Sequence, residues 1–460
     1  MPSTDALDPA ARRDLLDAVG PQGLISDADE RSSYETDWTG RFRGRTPAVV
    51  RPADTDEVAA VTEVARRHSL ALVPQGGNTG LVGGSVPLAG ELVVSLRRLD
   101  RVDDVDTLAR QVTAGAGATL GAVRRAAHAA GLRYAVDLAA RDSATIGGTV
   151  ATNAGGINLI RYGGTRQQVV GIEAVLGSGA RIDHLGGLLK DNTGYDLAGL
   201  LCGSEGTLGL ITRLRLRLVP QPEHTVVALV GFGSIDDAVA AVATWHGAVE
   251  DLESAELVLD GGLRLVMDTY DLPSPLPRSW PAYVLVEVAG PTDPTDSLAA
   301  AVDAATGVGD VAVATDEGRR AELWRYREDH TLAINALGPP HKLDVTLPAA
   351  ALAGFCDGIG RQVAEVDPAA RTWLFGHVGD GNIHVNITGV APDDERVDEA
   401  VLRRVAELGG SISAEHGIGT AKRRFLPLVH TADEIAAMRA IKAALDPAGI
   451  CNPNALLPPA

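Results

Sequence analysis

Three glycine clusters, met in order along the chain, constrain this sequence more than any other feature. The first is Pro74-Gln75-Gly76-Gly77-Asn78-Thr79-Gly80, running on through Leu81-Val82-Gly83-Gly84-Ser85. The second is Ile146-Gly147-Gly148-Thr149-Val150-Ala151-Thr152-Asn153-Ala154-Gly155-Gly156. The third is Lys190-Asp191-Asn192-Thr193-Gly194-Tyr195-Asp196, followed by Gly203-Ser204-Glu205-Gly206-Thr207-Leu208-Gly209. Consecutive glycines let the chain adopt positive φ and bring its N–H groups close to an anion. The first cluster follows a strand-like run, LALVP, yet it is neither a GxxxxGK[ST] P-loop nor a GxGxxG that opens a Rossmann helix. One such cluster reads equally well as a turn. Three in order are harder to explain as punctuation, because small residues also allow close approach to something large and flat, such as an isoalloxazine ring.

Composition closes other doors. The 460 residues carry 41 basic and 60 acidic side chains, a formal charge of −19. A general nucleic-acid binder needs a basic face to neutralise phosphates, so none is expected here. The three cysteines, Cys202, Cys356 and Cys451, form neither a disulfide framework nor a CxxC metal or iron–sulfur motif. No apolar run reaches the roughly 18 residues of a membrane span, and the start, MPSTDALDPAARRDLL, lacks the apolar core of a signal peptide. A cytoplasmic protein without an integral membrane segment is the expectation. Lysine is rare, with only Lys190, Lys342, Lys422 and Lys442, so a lysine at a special position is less apt to be surface filler.

Length suggests two or three domains. Strand-like runs at 47–52 and 70–74 flank a helix that starts at Asp54, with Glu57 three residues on, and keeps Val58, Val61, Val64 and Ala65 on one face to about His68. Strands follow at 91–96, 109–114 and 169–176, with a helix at 119–130. The segment 206–219 alternates apolar and basic residues and reads as a half-exposed strand. Pro220-Gln221-Pro222 ends it and marks a domain boundary. Beyond it the pattern restarts: strands at 225–231, 256–259, 282–288, 342–347 and 371–377, and helices at 235–247, 294–305, 318–336 and 392–409. A tail helix from 431 ends at Leu445-Asp446-Pro447. The elements do not alternate strictly, which suggests α+β domains.

PQGGNTGLVGGS, IGGTVATNAGG, KDNTGYDL and CGSEGTLGLIT resemble the flavin-binding half of the vanillyl-alcohol oxidase/p-cresol methylhydroxylase flavoproteins, and most of all their D-2-hydroxyacid dehydrogenase branch. The resemblance runs from about residue 30 to 458. It implies an FAD-binding domain of two α+β subdomains over 1–220, an antiparallel-sheet cap domain over 221–424, and a C-terminal segment, 425–460, returning to the FAD domain. Carried over by motif, the cofactor contacts are Gly76, Gly77, Asn78, Thr79, Gly80, Gly147, Gly148, Asn153, Gly156 and Asn452, extending to Pro74, Ser85, Asp137, Ser143, Glu205 and Ile211. Some members of the superfamily attach FAD through histidine. The loop 74–90 contains none, so FAD is expected to bind non-covalently.

The second half carries the more specific chemistry. In Gly376-His377-Val378-Gly379-Asp380-Gly381-Asn382-Ile383-His384-Val385-Asn386 a tight turn would set His377 beside His384, and in extended backbone Asn386 shares a face with His384. Two histidines in a hairpin are usually satisfied core residues. Ser413-Ala414-Glu415-His416-Gly417 adds a carboxylate and a third histidine, and two His plus one Glu make an open site suited to zinc or another divalent ion. His416, with an unperturbed pKa of about 6.5, suits a general base. The alternative makes His416 the third ligand and places Glu415 behind it. On a helix Arg327 and Thr331 lie at i and i+4 and share a face. Arg327 can clamp a carboxylate bidentately, and no carboxylate lies three or four residues from it on the helix. Lys342 could reach a second carboxylate. In D-2-hydroxyglutarate dehydrogenases a helix Arg and Thr and a following strand Lys engage substrate. The spacing here looks similar at Arg327, Thr331 and Lys342, and the metal and base positions look matched at His377, His384, Glu415 and His416.

The expectation is oxidation of a D-2-hydroxy acid, D-2-hydroxyglutarate first, to the 2-oxo acid, with hydride passing to flavin N5 and metal-assisted proton removal by His416. The same chemistry on D-lactate or glycolate is the near rival. A non-redox alkyl transferase on the flavin fold is the rival from another class. Without an iron–sulfur motif, electrons must leave to an external acceptor such as an electron-transfer flavoprotein or a quinone. A homodimer is compatible with all of these.

Overall fold

The computed structural model describes residues 7–459, so the start of the chain, from which the absence of a leader was read, lies partly outside the described residues. The chain divides into two compact units. One holds the residues up to Gly156, Gly163–Gln221 and everything from Glu415; the other holds Ile157–Tyr162 and Pro222–Ala414. Ile157–Tyr162 thus leaves the span expected to be one domain, and the main junction falls at the Pro220-Gln221-Pro222 break. The return comes at Glu415 rather than 425, because the loop after Glu415 is tied by its backbone to the first unit: Ile418 and Gly419 N–H donate to the Glu205 carboxylate at 2.7 Å each, and Thr420 N–H donates to Val82 O at 2.9 Å.

The first unit holds two four-stranded sheets. Strands β1 (Leu24–Ile25), β2 (Val49–Val50), β3 (Leu72–Gln75) and β4 (Leu92–Ser95) lie in the order β1-β2-β4-β3. The helix Thr55–His68 makes the crossover from β2 to β3. Its N-cap is Asp54, whose side chain accepts Glu57 N–H at 2.9 Å, and Val58, Val61, Val64 and Ala65 form its buried face, as the spacing predicts. It ends where Ser69 turns left-handed, φ 52°. Next come β5 (Gln111–Gly115), β6 (Leu132–Arg133), β7 (Val169–Leu176), β8 (Arg181–His184), β9 (Gly209–Arg217) and β10 (Val219–Pro220). The antiparallel sheet β5-β9-β7-β8 is the second layer, and β6 pairs with β10 apart from it. In β9 the alternation holds: Leu214 and Leu216 are buried, while Arg213 and Arg215 reach Asp103 and Asp106. The C-terminal segment docks on the first sheet, where Leu72 N–H donates to Ile450 O and Asn452 N–H to Leu72 O.

The second unit is built on a seven-stranded antiparallel sheet. Its strands are β11 (His224–Phe232), β12 (Leu252–Leu259), β13 (Ala282–Gly290), β14 (Val308–Ala314), β15 (His341–Thr346), β16 (Arg371–His377) and β17 (Asn382–Thr388), in the order β14-β11-β13-β12-β16-β17-β15. Register places Glu256 opposite His377, Phe375 opposite His384, Asp344 opposite His384 and Lys342 opposite Asn386. Side chains alternate across a strand, so Glu256, Phe375, His377, His384, Asn386, Asp344 and Lys342 share one face. The helices Ala349–Val366 and Arg396–Glu407 pack against the other, where Leu343, Val345, Leu374, Ile383, Val385 and Ile387 are buried.

Several elements depart from the sequence reading. The helix expected over 318–336 is two, Glu317–Glu328 and His330–Asn335, joined at Asp329. The helix expected from 392 begins at Arg396. Part of the second glycine cluster, Ile146–Thr152, is a short helix capped by Thr145 rather than a loop. Among the described residues no helix is long and apolar enough to cross a membrane.

Candidate active site

In the first unit the glycines serve loop-to-loop contact. A Cβ on Gly76 would fall on Thr145 Oγ1, and one on Gly77 on the Ser143 carbonyl. One on Gly147 would meet Ala116, and one on Gly206 would meet Pro74. Gly156, at φ +96°, has the Asp137 carbonyl 2.6 Å from its Cβ position. At these positions the glycines let neighbouring segments approach more closely than a side chain would permit.

The polar side chains expected to touch cofactor mostly hold these loops. Asn78, at φ 57°, donates from Nδ2 to Thr36 O at 2.8 Å and accepts the Ser85 hydroxyl at 2.9 Å. Asp137 pairs with Arg124 and Arg141 at 3.0 and 3.1 Å. Asn153 accepts Arg166 N–H, Asn452 Nδ2 donates to Gly84 O and Glu205 O, and Ile211 lies in the hydrophobic core. Burial pushes the Glu205 carboxyl up, partly opposed by the Ile418 and Gly419 N–H groups. Arg97, which sequence reasoning missed, donates from Nε and Nη2 to Gly76 O and Gly77 O at 2.9 Å each. That fork fixes the peptide planes of the first cluster. Gly80 has open space where a side chain would stand, and Gly148 meets only Thr145 Oγ1, at 3.2 Å. A cradle of fixed peptide groups bordered by open space fits the pyrophosphate and ring of FAD.

On the second unit's sheet, Glu256 and Asp344 are fully buried carboxylates, each beside a histidine. Glu256 Oε1 lies 2.5 Å from His377 Nδ1, and its Oε2 accepts Arg327 Nε–H at 2.6 Å. Burial pushes the Glu256 carboxyl up, but His377 and Arg327 more than offset this and hold it well below the usual carboxylate range. Asp344 Oδ1 lies 3.4 Å from His384 Nδ1 and accepts Asn382 Nδ2–H at 2.8 Å. The two imidazoles stand edge to face, their centroids 5.3 Å apart. A carboxylate on Nδ1 of a histidine favours the tautomer that ligates through Nε2, the usual support of a metal-bound imidazole. The residues therefore fit a divalent ion. Arg327 lies over the Phe375 ring at 4.6 Å. Burial pushes the Lys342 ammonium down to about 8.

The structure thus brings His377, His384, Asn386 and Lys342 onto one sheet face, with Arg327 joined to it through Glu256. Thr331 lies in the helix after Asp329. Glu415 and His416 open the C-terminal segment of the first unit. There Glu415 Oε2 accepts Gly156 N–H at 3.0 Å, and Glu415 Oε1 is 3.9 Å from His416 Nε2. Ala414, the residue before them, belongs to the second unit, where its N–H donates to Asp344 O at 3.2 Å. Glu256 and Asp344 went unread in the sequence. The available signal was a lone carboxylate inside the apolar runs SAELVL and KLDV.

Comparison with known proteins shows the family and the fold. The profile of the C-terminal domain of FAD linked oxidases matches residues 221–456, and that of an FAD binding domain matches residues 46–184. A D-2-hydroxyglutarate dehydrogenase of Xanthomonas citri pv. viticola is 37% identical over 456 residues, covering 96% of this chain and 96% of that one. The mitochondrial D-2-hydroxyglutarate dehydrogenase of Bos taurus is 36% identical, covering 96% of this chain and 82% of that one. Among solved structures, p-cresol methylhydroxylase with substrate bound superposes with a TM-score of 0.77 at 15% identity, over 96% of this chain and 95% of the other. At that identity the likeness shows the fold.

Proposed function

The chain belongs to the FAD-linked oxidases, and from that premise we propose that it oxidises D-2-hydroxy acids, D-2-hydroxyglutarate first, to 2-oxo acids. The observation that carries the reading is the shared face of the cap sheet, where two carboxylate-supported histidines stand with Asn386 and Lys342 and with Arg327 alongside.

Arg327 takes the C1 carboxylate, with Nε on Glu256 and its terminal nitrogens as the donors for a ligand. Thr331 adds a hydroxyl. Lys342, on the same sheet face as His384 and Asn386, takes the distal carboxylate of a diacid, a charge-assisted contact that a monocarboxylic acid cannot make. Asn386, in register with Lys342, presents an amide to the substrate's oxygens. His377, His384 and Glu415 would hold a divalent ion, zinc foremost. Such an ion supplies Lewis acidity that lowers the pKa of a bound hydroxyl. His416 accepts the hydroxyl proton at its ring nitrogen. FAD, when bound, supplies the hydride acceptor, N5 of its ring. The three cysteines are buried and unbridged, so electrons leave to an external acceptor, an electron-transfer flavoprotein or a quinone.

The test is anaerobic bleaching of flavin absorbance across D- and L-2-hydroxy acids, with and without chelator. D-2-hydroxyglutarate should bleach it fastest, the L-acids not at all, and chelator should slow it. Changing His416→Ala should slow bleaching by about 10²–10⁴-fold at unchanged flavin content. Equal rates for D-lactate and D-2-hydroxyglutarate would remove the distal-carboxylate part. No bleaching by any hydroxy acid would overturn the reading in favour of a non-redox transferase.

A further inference from the structure

Glu256 stands in mid-β12, fully buried and in register with His377. Its two oxygens face different partners, His377 Nδ1 at 2.5 Å and Arg327 Nε at 2.6 Å. Arg327 is further fixed by stacking over Phe375, which stands in register with His384. Asp344, on the same face, pairs with His384 and Asn382. Resting on the function proposed above, we propose that Glu256 is the positioning residue of this site. Its single carboxylate sets both the ligating nitrogen of His377 and the Arg327 fork, so that metal and substrate carboxylate are held in one fixed relation.

Donor counting shows why two acceptor oxygens are needed. When His377 donates Nδ1–H to Oε1, Nε2 carries the lone pair a metal requires. Arg327 Nε is always a donor. Glutamine has the same shape but one acceptor and one donor. If its oxygen stays on His377, its NH2 opposes Arg327 Nε–H, donor against donor. If its oxygen stays on Arg327, its NH2 faces His377 Nδ1, which must then accept. The ring proton moves to Nε2, and the ligating lone pair is lost. Glutamine satisfies one partner or the other, never both.

The experiment compares wild type with Glu256→Gln as full-length, FAD-loaded protein. Two quantities are read: zinc affinity by competition with a chromophoric chelator, and KM for D-2-hydroxyglutarate. Flavin content and Tm are recorded alongside. The expected result is a loss of about 10–100-fold in zinc affinity, or a rise in KM of about tenfold or more, at unchanged flavin content. A purely structural Glu256 would lower Tm and leave both quantities within twofold, which overturns the proposal while the wild-type chemistry stands. Should Glu256→Gln not fold, Glu256→Asp carries the same test, because its shorter stem cannot keep both distances: a shift in either quantity supports the proposal, and wild-type values in both overturn it. A wild-type protein that binds no zinc and is reduced by no hydroxy acid sinks both the proposal and the function beneath it, and it reveals itself before any substitution is made.

Discussion

Around the glycine loops of the first unit, Gly76, Gly77, Gly147, Gly156 and Gly206 stand where a Cβ would strike a neighbouring segment. On the cap sheet of the second unit, Glu256, His377, His384, Asp344 and Lys342 stand in cross-strand register, largely buried and mostly charged or chargeable. The first arrangement depends on the absence of side chains, the second on the presence of charges away from water. They should fail differently. A contact made by excluded volume is broken by one added carbon. A buried charge network is broken by removing one partner, because the other is left uncompensated. Substitutions in the loops should therefore remove flavin. Substitutions on the cap sheet should leave flavin bound and change what reduces it.

The largest effect expected from this contrast is at Gly77. In Gly77→Ala the new methyl falls on the Ser143 carbonyl, and Arg97, holding the Gly77 carbonyl at 2.9 Å, resists movement of the Gly77 side of that contact. Overpacking of this kind costs about 1–3 kcal/mol, which, if it falls on the bound state, weakens FAD binding about 5–150-fold. The protein should purify with little yellow colour, and titration of the apoprotein with FAD should show the weaker Kd. Full flavin content in Gly77→Ala would break the excluded-volume half of the contrast.

A smaller effect, and a selective one, is expected at Lys342. Removing a charge-assisted bond costs about 1.5–3 kcal/mol. Lys342→Met should thus raise KM for D-2-hydroxyglutarate by about 10–150-fold and leave D-lactate kinetics and flavin content unchanged. Wild type should show the same selectivity in pH. Burial lowers the Lys342 ammonium to about 8, so it is charged below that pH and loses its charge as pH rises through it. KM for D-2-hydroxyglutarate should climb above pH 8, KM for D-lactate should not, and the climb should vanish in Lys342→Met. A parallel climb for both acids would assign the titration elsewhere.

The contrast also explains what the sequence made legible. Glycine clusters, the Asp54 cap and the alternation of His384 and Asn386 are local signals, each readable within a few residues, and they appear as expected. Arg327 shows the limit. Its helix offers no carboxylate at three or four residues, which is correct, yet its partner Glu256 is 71 residues away in the chain. Glu256 and His377 are 121 apart. They meet because β12 lies beside β16, and strand order is set by packing of the whole sheet rather than by any local pattern. The helix Ala349–Val366 was missed for a different reason. Gly354, Gly358 and Gly360 lower its intrinsic propensity, while Leu352, Phe355, Cys356, Ile359 and Val363 supply the buried face that forms it. The short helix at Ile146–Thr152 was hidden by its own glycines.

The smallest effect is expected at His330, a buried imidazole of the cap unit outside its network of paired charges. His330 is fully buried, and its ring nitrogens meet no partner at good hydrogen-bonding geometry, only weak contacts to the backbone of Arg327 and Tyr326. It packs on Gly262, whose missing side chain leaves room for Nε2, and its ring lies 5.0 Å from that of Phe375. Burial first, then the charge of nearby Arg327, push the imidazole down to about 3. It is therefore neutral across the physiological range, and its folded-state pKa lies below the usual 6.5. The sign follows: below about pH 6.5 the unfolded chain gains a proton that the folded chain refuses until about pH 3, so His330 costs stability increasingly as pH falls through that window. His330→Leu keeps the apolar packing against Phe375 and removes two unsatisfied polar atoms. It should be neutral at pH 8 or stabilise by about 1 kcal/mol, and the gain in Tm over wild type should widen at pH 5. A His330→Leu protein less stable than wild type at both pH values would mean that the imidazole does pair.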